Sequence, residues 1–118
     1  MKDPTILLVD ILDSIRSIRE YTSGLDLDGF LQDAKTQDAV IRRFEVMGEA
    51  ARRTPESFQQ AHVDIPWRRM AGLRNVLAHE YDDIALEILW DTLENRLDAL
   101  ERAVLAALES QGRHGGQS

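Results

Sequence analysis

A chain of 118 residues makes one domain with a modest core. Its 43% hydrophobic and 30% charged residues exclude global disorder, and the lack of cysteine excludes disulfides and thiolate-held metals. The formal net charge of −7 argues against a protein that coats nucleic acid, because that affinity comes from neutralising phosphates.

No strand pattern competes with helix anywhere in the chain, and four main helices account for most of it. The first opens at Asp3-Pro4, an N-cap followed by proline at the first helical position. Leu8, Ile11, Leu12, Ile15 and Ile18 follow the helical period, and Gly24 ends it. No apolar run approaches the roughly 20 residues a bilayer span needs. Asp3 and Asp10 also interrupt any signal-peptide pattern, so the expected location is the cytoplasm. Residues 25–32 make a connection or one short turn of helix.

The second helix is expected from Lys35 to Arg53, with Val40, Phe44, Met47 and Ala51 on one face. Gly48 inside it predicts a tight helix crossing. Thr54-Pro55 stops this helix, and 55–61 is expected to add a short turn. Pro66 starts the third helix, which fades near His79 to Tyr81. Asp83 is the expected N-cap of a last helix with an apolar stripe of Leu86, Leu89, Trp90, Leu93, Leu97, Leu100, Val104 and Leu108. The helical domain is expected over 1–110, with a glycine-rich, disordered tail over 111–118. Short connections make the architecture all-α, an antiparallel bundle.

Charge is unevenly spread. Arg42, Arg43, Arg52, Arg53, Arg68, Arg69 and Arg74 outnumber Glu45, Glu49, Glu56 and Asp64 in the middle of the chain. A basic region on an acidic protein suits a local RNA contact. Arg42-Arg43 and Arg52-Arg53 are more simply a solvated face.

The chemistry-bearing stretch is Arg74-Asn75-Val76-Leu77-Ala78-His79-Glu80-Tyr81. Arginine holds a phosphate through two parallel hydrogen bonds, and histidine exchanges a proton near neutral pH. On a helical wheel Arg74 falls within the apolar arc of Trp67, Met70, Ala71, Leu73, Leu77 and Ala78. A charge there needs a partner. Arg74 and His79, five apart, diverge by about 140° on an unbroken helix, so they meet only if the helix unwinds or a second chain supplies copies. A structural reading stays open beside the catalytic one: Arg74 paired with Glu49, His79 interacting with the helix C-terminus, and Tyr81 in the core.

Arg-x4-His-x-Tyr with asparagine after the arginine resembles the signature of HEPN-domain proteins, specifically the HepT-like toxin ribonucleases. Phe30-Leu31, Met47-Gly48-Glu49-Ala50, Ile65-Pro66-Trp67 and Ile88-Leu89-Trp90-Asp91 are similar to the same family in the same order. The resemblance covers most of residues 5–105. It implies a helical bundle that pairs as a homodimer, with motifs from both chains lining one cleft. It also implies RNA cleavage without metal or cofactor: the ribose 2′-hydroxyl attacks the adjacent phosphorus, leaving a 2′,3′-cyclic phosphate and a 5′-hydroxyl. His79 is then general acid/base, Arg74 stabilises phosphoryl charge, Asn75 orients His79 or donates to a phosphate oxygen, and Glu49 supports Arg74. The implied partner is an MntA-like nucleotidyltransferase antitoxin that transfers AMP to the motif tyrosine, here Tyr81.

Three other readings belong to different classes. His79, Glu80, Asp82 and Asp83 offer an oxygen-rich metal site. A non-catalytic HEPN subunit would bind nucleotide or dock a nucleotidyltransferase. The third is a plain helical dimerisation module.

Overall fold

The computed structural model describes residues 3–77 and 82–115, with side chains described within them except at 74–77 and 113–115. Seven helices and no strands occur among the described residues: α1 (Pro4–Thr22), α2 (Leu27–Leu31), α3 (Ala34–Arg53), α4 (Glu56–Ala61), α5 (Trp67–Leu77), α6 (Asp83–Asn95) and α7 (Leu97–Gly115). The all-α expectation is met. None of these helices is long and apolar enough to cross a membrane.

Aspartate sets four of the helix starts, because its carboxylate satisfies a backbone N–H that the first turn leaves without a partner. Asp3 accepts from the Thr5 amide at 2.8 Å, Asp26 from Gly29 at 2.8 Å, Asp33 from Thr36 at 3.0 Å and Asp82 from Ala85 at 3.0 Å. The Thr36 hydroxyl also donates to Asp33 at 2.7 Å, and these two bonds from Thr36 hold the Asp33 carboxyl below its ordinary pKa. The last-helix cap is therefore Asp82, one residue before the expected Asp83, which occupies the first turn. Gly24 takes φ +80° just beyond α1, a left-handed position where a side chain would be strained.

The central packing is α3 against both α1 and α5. Leu8, Ile11, Ile15 and Ile18 of α1 meet Val40, Phe44, Met47 and Ala51 of α3 in one continuous core. Gly48 is buried in α3. The two short segments that periodicity left indefinite are helices with anchoring roles. In α2, Phe30 is fully buried and lies 5.2 Å, ring to ring, from Trp90 of α6. In α4, the Gln59 side chain donates to the carbonyls of Ala51 and Thr54, tying α4 to the end of α3.

The expected single last helix is two. Its stripe is buried at Leu86, Leu89, Trp90, Leu97, Leu100 and Val104, with Leu93 and Leu108 partly buried, but the helix breaks at Arg96 (φ −123°, ψ −21°). The cause is tertiary: α6 packs on α2, whereas α7 packs on α1. Arg19 of α1 fastens the second contact by ion pairs to Glu101, at 2.5 Å, and to Asp98 of α7. The expected domain boundary after residue 110 falls inside α7, which continues to Gly115.

Ser14 is a polar residue in this core. It is 0% exposed, and its hydroxyl has no hydrogen-bond partner among the described residues. Removing a hydroxyl that has lost its water and gained no partner relieves a desolvation cost, and alanine is the better helix former. Ser14→Ala is therefore expected to stabilise the protein by about 0.5–1 kcal/mol, read as a higher urea midpoint at unchanged slope. A destabilised variant would show that the hydroxyl is satisfied.

Candidate active site

The helix that carries Arg74 and Asn75 is built from its N-terminus upward. Pro66 lacks an N–H and presets the backbone at the start of α5. Trp67 follows, 8% exposed, with its indole N–H donating to the His62 carbonyl at 3.0 Å. Phe58 of α4 packs edge-on to Trp67, at 6.2 Å between centroids, and lies 4.4 Å from the His62 ring. Ile65 and Met70 complete the anchor against the core. Burial of such side chains contributes about 1.5–3 kcal/mol each, enough to fix the axis of an eleven-residue helix that would not persist alone.

Arg74 and Asn75 thus sit in the last turn of α5, whose described end is Leu77. His79, Glu80 and Tyr81 lie outside the described residues, as do the side chains of Arg74 and Asn75. The expected angle between Arg74 and His79 falls there too, and so does the expected core position of Tyr81. The next described feature is Asp82, whose carboxylate occupies the N-terminus of α6. Asp82 and Asp83 occupy the start of α6, so that helix N-terminus is already matched by acids and disfavours a phosphate.

Glu49, the expected support for Arg74, is on α3, the helix against which α5 packs. Its carboxylate accepts from Arg52 at 2.6 and 3.2 Å and from Arg53 at 2.9 Å. Hydrogen bonding to Glu49 raises the Arg52 pKa further above its ordinary value. Arg42 pairs with Glu45 of the same helix at 3.8 Å. Three of the arginines in the basic segment are therefore exposed but matched by acids within α3. Arg68 and Arg69 of α5 are exposed and form no ion pair among the described residues.

The described residues hold no group of three or more His, Cys, Asp or Glu arranged to bind a metal. Of the alternative ligand set, His79 and Glu80 lie outside them, and Asp82 is engaged as a cap.

Across these helices, residues 11–107 match a family model described as Ribonuclease HepT-like, a span that includes the whole Arg74–Tyr81 stretch. The chain belongs to the HepT-like family. Among curated HepT-like and RNase-named proteins, one from Methanocaldococcus jannaschii, whose name marks it as a candidate RNase, is 44% identical over 96 residues, covering 81% of this chain and 79% of its own. The probable ribonuclease HepT of Thermococcus cleftensis is 40% identical over 94 residues, covering 80% and 86%. A candidate RNase of Caldanaerobacter subterraneus subsp. tengcongensis is 32% identical over 111 residues, covering 94% and 99%. No solved structure matches the chain significantly. The HepT-like assignment meets the resemblance read from the separated motifs.

One feature near the HepT-like motif gives no sign in the sequence. A groove of about 380 Å³ separates α5 from the α6–α7 junction, with Arg69 and Arg96 among its lining residues. Reading 83–110 as one helix hides it, because the groove depends on the break at Arg96 and on how α6 and α7 diverge.

Proposed function

We propose that this chain is a metal-independent endoribonuclease toxin of a HepT/MntA type VII-like toxin–antitoxin system, acting as a homodimer. The observation that carries the reading is the match of residues 11–107, a span that holds Arg74, Asn75, His79 and Tyr81, to a ribonuclease family. In the proposed site, both copies place these motifs in one cleft. His79 takes the proton from the ribose 2′-hydroxyl as its oxygen bonds to phosphorus. The P–O5′ bond breaks, and the leaving oxygen receives a proton from the partner copy's equivalent group. Arg74 neutralises charge that builds on the non-bridging oxygens. The acids at the start of α6 support this role, because they leave that helix N-terminus unsuited to phosphate and a side-chain cation has to meet the charge.

The chain's charge supports a site-limited RNA contact, since the acidic whole works against general nucleic-acid binding. Cleavage of RNA by the purified chain in excess EDTA, giving 2′,3′-cyclic phosphate ends, tests the chemistry. Activity that vanishes with chelator and returns with added magnesium or manganese would overturn metal independence.

Regulation is assigned to Tyr81 in the same proposal. AMP attached to its phenol adds bulk and phosphate charge beside the cleft and excludes RNA. Co-expression with an MntA-like nucleotidyltransferase is expected to raise the intact mass in steps of AMP, with Tyr81→Phe preventing the additions. An unchanged mass on co-expression would remove this mechanism.

A further inference from the structure

The groove beside α5 has the chemistry of a nucleotide site. Its floor is apolar, formed by Met47, Met70, Leu73, Leu97 and Leu100, and its size falls within the usual range of small-ligand sites. The rim is polar and carries hydrogen-bonding groups of both kinds: Asp64, Thr92 and Asn95. Arg69 and Arg96, from its two walls, are exposed, and neither forms an ion pair among the described residues. Two unmatched guanidinium groups at the mouth of an apolar cleft, on a protein of net charge −7, are complementary to a flat apolar body flanked by phosphates.

We propose that this groove receives one unstacked base of the single-stranded RNA substrate, with Arg69 and Arg96 on the adjoining phosphates. The identity of the strand rests on the ribonuclease reading above. Single-stranded RNA is read in this way, with bases splayed out of the stack, laid on apolar or guanidinium surfaces and hydrogen-bonded at their edges. Asp64 is placed to accept from an exocyclic amino group, and Asn95 offers a carbonyl or an amide. Arg69 precedes Arg74 by five residues on α5, about 7.5 Å along the axis and about 140° around it, with Met70 and Leu73 of the groove on the arc between them. A strand whose scissile phosphate is held at Arg74 therefore crosses that arc to lay a nearby base in the groove. The groove then selects a base near the cut, a task the cleavage residues do not perform.

The test is a binding cycle on the full-length protein. Ala99 is exposed on the groove wall, so Ala99→Trp fills the space without disturbing the buried floor. The probe is a short single strand with 2′-fluoro riboses, which lacks the attacking hydroxyl, carrying an abasic position at each site in turn. Fluorescence anisotropy is expected to show about a tenfold loss of affinity for Ala99→Trp. One abasic position should weaken wild-type binding by a similar factor, and the two changes together should cost no more than either alone. An unaltered affinity in Ala99→Trp, or two losses that multiply, would overturn the proposal, as would an absence of binding by the wild type. Should Ala99→Trp misfold, Arg69→Gln with Arg96→Gln gives a second decision, since their removal must flatten the salt dependence of binding. Failure of the wild type to cleave ordinary RNA while this coupling holds would sink the ribonuclease reading and leave the base site standing. Cleavage without coupling would do the reverse.

Discussion

Arg74→Ala is expected to slow RNA cleavage by about 10²–10³-fold, and His79→Ala by about 10²–10⁴-fold, with little change in melting temperature. The two losses have different physical origins. Phosphoryl charge grows as the 2′-oxygen bonds to phosphorus, and a fixed guanidinium meets that charge without reorganising. The start of α6 is no substitute for the arginine, because Asp82 and Asp83 already occupy it. Lysine at 74 is expected to recover only part of the loss, since a point charge lacks the planar fork that grips two oxygens. Histidine, by contrast, moves protons, so His79→Ala should lower kcat more than it raises KM. Wild type and both variants leaving mixed RNA equally intact would end the ribonuclease reading. The non-catalytic subunit that binds nucleotide or docks a nucleotidyltransferase would then take its place.

The largest expected effect on stability is at Phe30. Its side chain is fully buried in a five-residue helix and packs on Trp90. Such a helix has no stability of its own and exists because the ring is buried. Phe30→Ala should therefore cost about 3–5 kcal/mol, a large share of the 5–15 kcal/mol typical of a domain. Guanidinium denaturation at fixed protein concentration measures it. The loss should extend to α6, because Phe30 is its ring partner across the α2–α6 contact. A cost below about 1 kcal/mol would mean that the site collapses to fill the cavity, contrary to the close packing described.

How much was legible follows from which forces are local. The start of α1 at Asp3-Pro4 and the boundaries of α3 came within a residue of the structure, because caps, proline and a 3.6-residue apolar period act over a few neighbours. The core faces of α1 and α3 were read correctly for the same reason. The break at Arg96 was not, since Leu86 through Leu108 keep one unbroken helical phase and no proline or glycine marks a stop. It arises where α6 and α7 turn to different neighbours. Aspartate caps at Asp26, Asp33 and Asp82 were present in the sequence but competed with many other aspartates, and only the folded backbone selects among them.

The candidate site divides along the same line. Sequence alone supplied the residue types at Arg74, Asn75, His79 and Tyr81, because their chemistry belongs to the side chains and their spacing marks the family. It also supplied the all-α class, which follows from periodicity. The pairing of the α3 arginines with Glu45 and Glu49 is also local, three or four residues apart on one helix. Tertiary structure decided that Arg69 and Arg96 flank a common groove. The groove depends on which surfaces approach across distant stretches of chain, and hydrophobic burial sets that approach with no local signal in the residues it brings together.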